Sequence, residues 1–459
     1  MKASHGVTPV FDDPNLVSAA GLVPVLALGE RAGLSGLLDA SLSVASPNAT
    51  AKARSVVAGM LAGADSIDDL DVLRAGGMTR LVDGVRAPST LGTFLRTFTH
   101  GHVQQVDKVT GRLLAGLAGQ VPALLGGARR LGAMVFVDVD DTIRQVHGYA
   151  KQAAGFGYSG VRGLNVQLAV VSTPTSPPLI ARARLRRGNV ISHTGAPRLI
   201  AQAVTTARTA GARGQVMVRA DSAYYVRDVL ATAIRHEAWF SVTARMNPAV
   251  VKAIAAIDEH AWTPIAYPQA VWDEQAGGWV SDAQVAEAAF TAFTSLPKSK
   301  QITCRLVVRR VRRLQPRTSD GSVQGELFAD WRHHAFVTNS TLDTVAADQH
   351  HRDHAIVEQV IAELKDGPLA HLPSARYGAN AAWVALAALA FNLARAASVA
   401  ATMTTARWAS LRHKIINIPA RLAASGRRLV MHLPAHWPWR PAWTSLWDTA
   451  TSPPPAATP

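Results

Sequence analysis

The sequence predicts a mixed α/β fold preceded by a helical domain, and three observations carry that reading. Short apolar runs between residues 134 and 225 end in carboxylates, as strands that deliver acids to a common site do. Residues 1–130 instead carry apolar residues at helical spacing. Between them, strand texture alternates with a helical segment over residues 164–225, a connection long enough to imply parallel strands.

At 459 residues the chain exceeds one simple core, so two or three domains are expected. Hydrophobic content of 48% suits a soluble globular protein. A net charge of +15 does not, unless the partner is polyanionic, and nucleic acid is the commonest such partner. Arginine outnumbers lysine 38 to 9, which favours bidentate phosphate contacts and is equally what a GC-rich genome produces. Cys304 is the single cysteine, which excludes an intrachain disulfide and a cysteine-based zinc site and fits a reducing cytoplasm. The apolar run at 19–29 is interrupted by Pro24 and does not read as a signal peptide. The run at 381–401 contains Asn392 and Arg395 and reads as a buried helix, so no membrane contact is expected.

In the first domain (1–130), residues 16–37 read as helical with a break at Pro24, and residues 51–64 as an amphipathic helix. Ser66 and Asp69 suit a cap. Pro88 introduces a helix over 91–99, and Gly101 separates it from another running to Leu117. Such a pair suits a helix-turn-helix with Arg96 free for phosphate, although short helix pairs occur in any helical domain.

The central stretch is MVFVDVDDTIRQVHG, residues 134–148. Alternation along a strand puts Asp138 and Asp140 on one face and Asp141 on the other. Two like charges on one face of a buried strand need compensation, and hard carboxylate oxygens are what magnesium selects. The plainer alternative is a strand end where acids meet solvent. A second strand is expected at 164–172, ended by a Pro-rich turn at 173–178, and a third at 179–187. Arg182, Arg184 and Arg186 then line one face, either toward phosphate or as a solvated exterior. A helix at 196–210 leads to QVMVRADSAYY, residues 215–225, where an apolar strand delivers Asp221.

Residues 246–335 break the alternation and read as an inserted β-rich subdomain with a strand at 302–313 and a loop at 316–325. Trp262, Trp272 and Trp279 among basic residues suit either base stacking or an ordinary core. After a strand at 335–339, one helix is expected over 345–365, stopped by Gly367-Pro368. On it His351, His354, Glu358 and Lys365 form one narrow stripe, and Glu363 lies well round the helix. Glu358 and Glu363 therefore cannot serve one site together. The domain of residues 131–400 is followed by a basic, tryptophan-rich region, 401–459, expected to touch DNA or a partner subunit and to end in a disordered Pro/Ala tail.

Acids from two strands and one helix in a basic chain suit a two-metal site that cuts phosphodiesters. At this point the residues resemble the DDE insertion-sequence transposases. The spacing His351-x2-His354-x3-Glu358-x6-Lys365 mirrors the family's Tyr-x2-Arg-x3-Glu-x6-Lys signature. VRADSAYY at 218–225 and VDVDDT with the following HG resemble the second-Asp and first-Asp segments. LRRGN at 185–189, APST at 87–90 and RRLVMHLPAHWPW at 427–439 extend the likeness over nearly the whole chain. The group resembled is the one numbered thirteen-eighty within the IS-four-like set.

The resemblance implies an RNase H-like catalytic core with a β insertion between the second Asp and the Glu. It implies two Mg2+ ions, for which Mn2+ can substitute, and cut-and-paste strand transfer at inverted-repeat ends. Carried over, Asp140 is the first acid with Asp138 as close competitor, Asp221 the second and Glu358 the third, all four as metal ligands. Lys365 then contacts a phosphate near the cleaved end, and the wider DNA-binding set is Arg352, His351, His354, Arg184, Arg186 and Arg96. Double-stranded DNA is the expected partner, a homodimer the expected state on DNA, and the bacterial cytoplasm, at the nucleoid, the expected place.

His351 and His354 depart from the signature, since a histidine is only partly charged at neutral pH; the neighbouring Arg352 is the expected substitute. Two competing readings follow. One is a catalytically impaired, transposase-derived DNA-binding protein. The other is a haloacid-dehalogenase-like phosphatase, with Asp138 as nucleophile and Asp140 as general acid, but its later acids, Asp221 and Asp228, are spaced too widely.

Overall fold

The computed structural model describes residues 7–128, 132–268, 271–274, 278–312 and 331–452. The expected loop at 316–325, the tail past Ser452 and the side chain of Trp279 lie outside the described residues.

A two-residue strand β1 (Leu16–Val17) precedes α1 (Leu22–Arg31), α2 (Leu34–Ser41), α3 (Ala49–Ala62), α4 (Pro88–Arg96) and α5 (His100–Gln120). Pro24 starts α1 rather than breaking it, because the first turn needs no N–H from it. The helix pair α4–α5 forms, but it turns at residues 97–99 and not at Gly101. Thr99 caps α5 reciprocally: its hydroxyl accepts from the His102 N–H, and its own N–H donates to the His102 ring.

The central sheet begins with β2 (Met134–Gln145), β3 (Gly155–Phe156), β4 (Arg162–Thr173) and β5 (Ser176–Arg186). Helix α6 (Ala196–Thr209) crosses to β6 (Gln215–Ala220), and α7 (Arg227–Arg235) to β7 (Trp239–Thr243). Strand β4 is antiparallel to β2 and to β5, whereas β6 runs parallel to β2 and β7 parallel to β6. Being covered on both faces, β2 and β6 read as continuous apolar runs rather than alternating ones. Their register pairs Asp138 with Arg219 and Val139 with Ala220. One step further along the ladder stand Asp140 and Asp221.

Helix α8 (Pro248–Ala255) leads to β8 (Thr263–Pro264), the ribbon β9 (Val271–Asp273) and β10 (Gly278–Val280), and then β11 (Ala283–Ala292), β12 (Ile302–Arg312) and β13 (Trp331–Thr338). The segment is β-rich as expected, but it does not fold by itself. Strand β13 pairs antiparallel with β7, β12 with β13 and β11 with β12, so one sheet continues through all of them. The open edge of β7 explains this, since unpaired backbone groups there need a partner.

Next come α9 (Thr344–Arg352), α10 (Ile356–Lys365), α11 (Tyr377–Ala400) and α12 (Trp408–Leu411), then β14 (Ala420–Ser425), β15 (Arg428–His432) and α13 (Arg440–Thr451). The single helix expected over 345–365 is thus two, joined by a 3₁₀ turn at Asp353–Ala355. Helix α11 is apolar all round because it is buried all round, against α3, α4, α5 and β5. Its polar residues have partners: Asn392 accepts from the Ile180 N–H and donates to the Ile180 carbonyl, both at 2.8 Å. Strands β1, β14 and β15 form a small sheet that joins the two ends of the chain. The C-terminal tryptophans turn inward: Trp443 is buried and stacks with Trp447 at 5.3 Å, and α13 packs on α1.

Candidate active site

Asp138 and Asp140 share a face of β2, as alternation requires, yet their surroundings differ in kind. Asp138 is 0% exposed and Arg219 only 1%. Arg219 donates from Nε to Oδ1 at 2.6 Å and from Nη2 to Oδ2 at 2.8 Å, and His354 Nδ1 lies 3.0 Å from Oδ1. The guanidinium also donates to the His350 carbonyl at 2.5 Å and lies 3.8 Å from the centre of the Phe136 ring. Burial alone would raise the Asp138 carboxyl, but Arg219 and His354 outweigh it and hold it below the usual range. A sealed carboxylate with both oxygens engaged offers no metal ligand and no nucleophile. The expectation that Asp138 competes with Asp140 is corrected on that ground, and the phosphatase reading loses its nucleophile with it.

Asp140 has no such partner. Burial first, and then the neighbouring charge of Asp221, pushes its carboxyl up to about 6, against the Asp141 N–H donated to its Oδ1 at 2.7 Å and the pull of His354. Asp221 follows the last residue of β6 and caps the turn Ser222–Tyr224 by accepting the Ala223 N–H at 3.0 Å. Its carboxyl is raised as well, by burial, while its edge remains open to solvent. Asp141 points to the opposite face, where it accepts from Arg186 and, at 2.7 Å, from Asn165. Two adjacent parallel strands therefore bring together an acid pair, Asp140 and Asp221, with no bonded cation among the described residues.

Glu358 stands apart from that pair. It is exposed in the first turn of α10, and no three His, Cys, Asp or Glu side chains among the described residues are close enough to hold a metal ion. The helix itself is well placed, because His354 in the turn before it and Lys365 at its end both interact with the Asp140 carboxyl. Glu363 is elsewhere: it is buried, accepting from Arg395 at 2.5 Å and from the Trp408 N–H at 2.7 Å.

Several residues of the DNA-facing set turn inward. His351 stacks on Phe336 at 4.1 Å and bonds to Ser241 Oγ at 2.8 Å and Thr243 Oγ1 at 3.1 Å, and burial pushes its ring well below the ordinary histidine range. A neutral, enclosed imidazole cannot clamp phosphate. Arg352 is held by Asp348 at 3.0 Å and does not replace the missing signature arginine. The arginine stripe of β5 is half-buried and bonded within the fold. Arg182 donates to the Asp107 carbonyl at 2.7 Å, Arg184 to Gln202, and Arg186 to Asp141, Asn165 and the Thr194 carbonyl. Arg96 remains exposed on α4, and Lys365 is half-buried beside Arg144 and Asp140. Sequence reasoning missed Arg219. Its signal was a lone arginine inside the apolar run QVMVRA, which needs a buried anion opposite it.

A groove of about 900 Å3 between residues 10–18 and the β14–β15 hairpin contains none of these acids. The family model described as transposase DDE domain group 1 matches residues 2–451. The chain belongs to that family. Among curated proteins none matches it. Membership makes the setting of the acid pair a transposase domain and assigns the chain to DNA transposition.

Proposed function

We propose that this transposase binds double-stranded DNA at terminal inverted repeats and cuts and rejoins phosphodiester bonds with Asp140, Asp221 and Glu358. The observation that carries the reading is the acid pair formed by Asp140 on β2 and Asp221 just past the end of the adjacent parallel strand β6, both raised by burial, and Asp140 also by the charge of Asp221, instead of being neutralised. A strand order with β4 and β5 antiparallel on one side of β2 and β6 and β7 parallel on the other supports an RNase H-like core. Within the family, the signature spacing favours the group numbered thirteen-eighty.

The donor set fits divalent cations: hard carboxylate oxygens, crowded enough to gain from a positive charge. Asp140 and Asp221 would hold Mg2+, or Mn2+ in its place, and Glu358 would complete the set by approach of α10. When bound, two such ions lower the pKa of an attacking water or 3′-hydroxyl and stabilise the leaving oxygen. Around them, Lys365 and Arg144 supply positive charge to the scissile phosphate, and the helical N-terminal domain holds the duplex through Arg96. A homodimer on DNA follows from the need to join two ends.

The Asp221→Asn variant tests the reading. Magnesium-dependent cleavage of the inverted-repeat ends flanking the gene should fall at least a thousandfold while end binding survives; undiminished cleavage would sink it. In the same assay Glu358→Ala should be inactive, and inactivity confined to Glu363→Ala would reassign the third acid.

A further inference from the structure

The loop between β2 and β4, residues 146–161, carries aromatic rings where folding alone would not place them. Tyr149 and Tyr158 are fully exposed, and Phe156 is two-thirds exposed. The other four tyrosines, Tyr224, Tyr225, Tyr267 and Tyr377, are buried or half-buried. An aromatic ring left in water forgoes the gain its burial would bring, so rings gathered on one exposed loop point to a contact made elsewhere.

The loop backbone is anchored. Gln152 donates its N–H to the Ala375 carbonyl at 2.9 Å, Gly188 to the Ala153 carbonyl at 3.1 Å, and Lys151 reaches the Leu372 carbonyl. Arg162 donates to the Gly148 carbonyl at 2.8 Å and lies 5.9 Å from the Tyr149 ring. Gly157 lies so close to the Gly188 carbonyl oxygen that a Cβ would come within 2.7 Å of it. The rings therefore project from a fixed frame.

A groove of about 540 Å3 is lined by Tyr158 and Ser159 of this loop together with Asp141, Arg144 and Lys365, and through Lys365 it lies next to Asp140. Arg144 spends Nη2 on the Ala370 carbonyl, and its Nε is buried without a partner among the described residues. Two cations and an exposed aromatic ring along one groove match the two halves of a nucleotide, phosphate and base.

We propose that this groove holds an unpaired nucleotide at the cut DNA end, its phosphate on Arg144 and Lys365 and its base stacked on Tyr158. Tyr149 and Phe156 present further stacking faces beside it. The proposal rests on the transposase reading above and adds to it a single-stranded binding site.

The test uses a short duplex with and without a single-stranded tail, with 2-aminopurine at the first unpaired position. The full-length protein should quench that fluorescence and bind the tailed duplex more tightly than the blunt one. Tyr158→Ala, a change at an exposed position, should abolish quenching and lower affinity for the tailed duplex roughly five- to hundredfold, leaving blunt binding unchanged. Tyr158→Phe should behave as the wild type. Wild-type quenching and affinity in Tyr158→Ala, or equal wild-type affinity for both duplexes, would overturn the groove and leave the transposase reading standing. Failure to bind either duplex would overturn both.

Discussion

Two carboxylates two residues apart on one strand, Asp138 and Asp140, show how surroundings divide structure from chemistry. Both occupy the same face of β2, Asp138 fully buried and Asp140 half-buried. Asp138 meets Arg219 across the parallel register and His354 from the turn before α10, and its charge is cancelled within the fold. Asp140 meets Asp221, and its charge is opposed. The difference is two positions along the β2–β6 register: arginine opposite Asp138 and aspartate beside Asp140. A closed ion network holds the strands and the helix in place, so that the open acid pair beside it can remain uncompensated.

The largest expected effect is on the closed side. Arg219→Met leaves the Asp138 carboxylate buried without its main partner and should destabilise the protein by about 3–5 kcal/mol in urea denaturation. Pairing it with Asp138→Leu removes the stranded charge and should restore most of the loss. Additive losses in the double variant would mean that the two side chains act independently, and the comparison would fail.

On the open side the sign reverses. The folded Asp140 carboxyl, at about 6, lies above its unfolded value of 3.8, so its protonated form favours the fold below pH 4 and that benefit disappears as pH rises through about 6. Without metal, Asp140→Asn should therefore be more stable than wild type at pH 7, by at most about 3 kcal/mol, and equal to it below pH 4. Magnesium should raise the Tm of the wild type and leave that of the variant unchanged. A metal-free variant less stable than wild type at pH 7 would show that Asp140 is compensated after all.

How much of this was legible in the sequence follows from which interactions are local. Alternation on β2, the apolar run before Asp221 and the separation of Glu358 from Glu363 depend on one strand or one helix, and the structure has them as read. The fates of Asp138 and His351 depend on register and packing across elements distant in sequence: Arg219 on β6, Ser241 on β7 and Phe336 on β13. The arginine stripe misled for a similar reason. Its spacing is local, but Asp107 and Gln202, which draw it inward, lie on α5 and α6. The insertion was legible as β structure and not as a continuation of the sheet, because only the open edge of β7 decides where its strands go.

The smallest effect sits at the junction of the two sides. His354 bonds to Asp138, and positive charge on its ring would lower both Asp140 and Asp221, so it links the two networks. Removing it should cost only about 1–2 kcal/mol, since Arg219 keeps both oxygens of Asp138 occupied. The acid pair, however, loses a positive influence on both its members. In His354→Ala the Asp140 carboxyl should titrate above about 6, and in His354→Arg, which restores the family's signature cation, below it. Carbon-13 NMR of the aspartate carboxyls reads both midpoints directly. An unmoved Asp140 midpoint in both variants would separate the two networks and reduce His354 to a packing residue of α10.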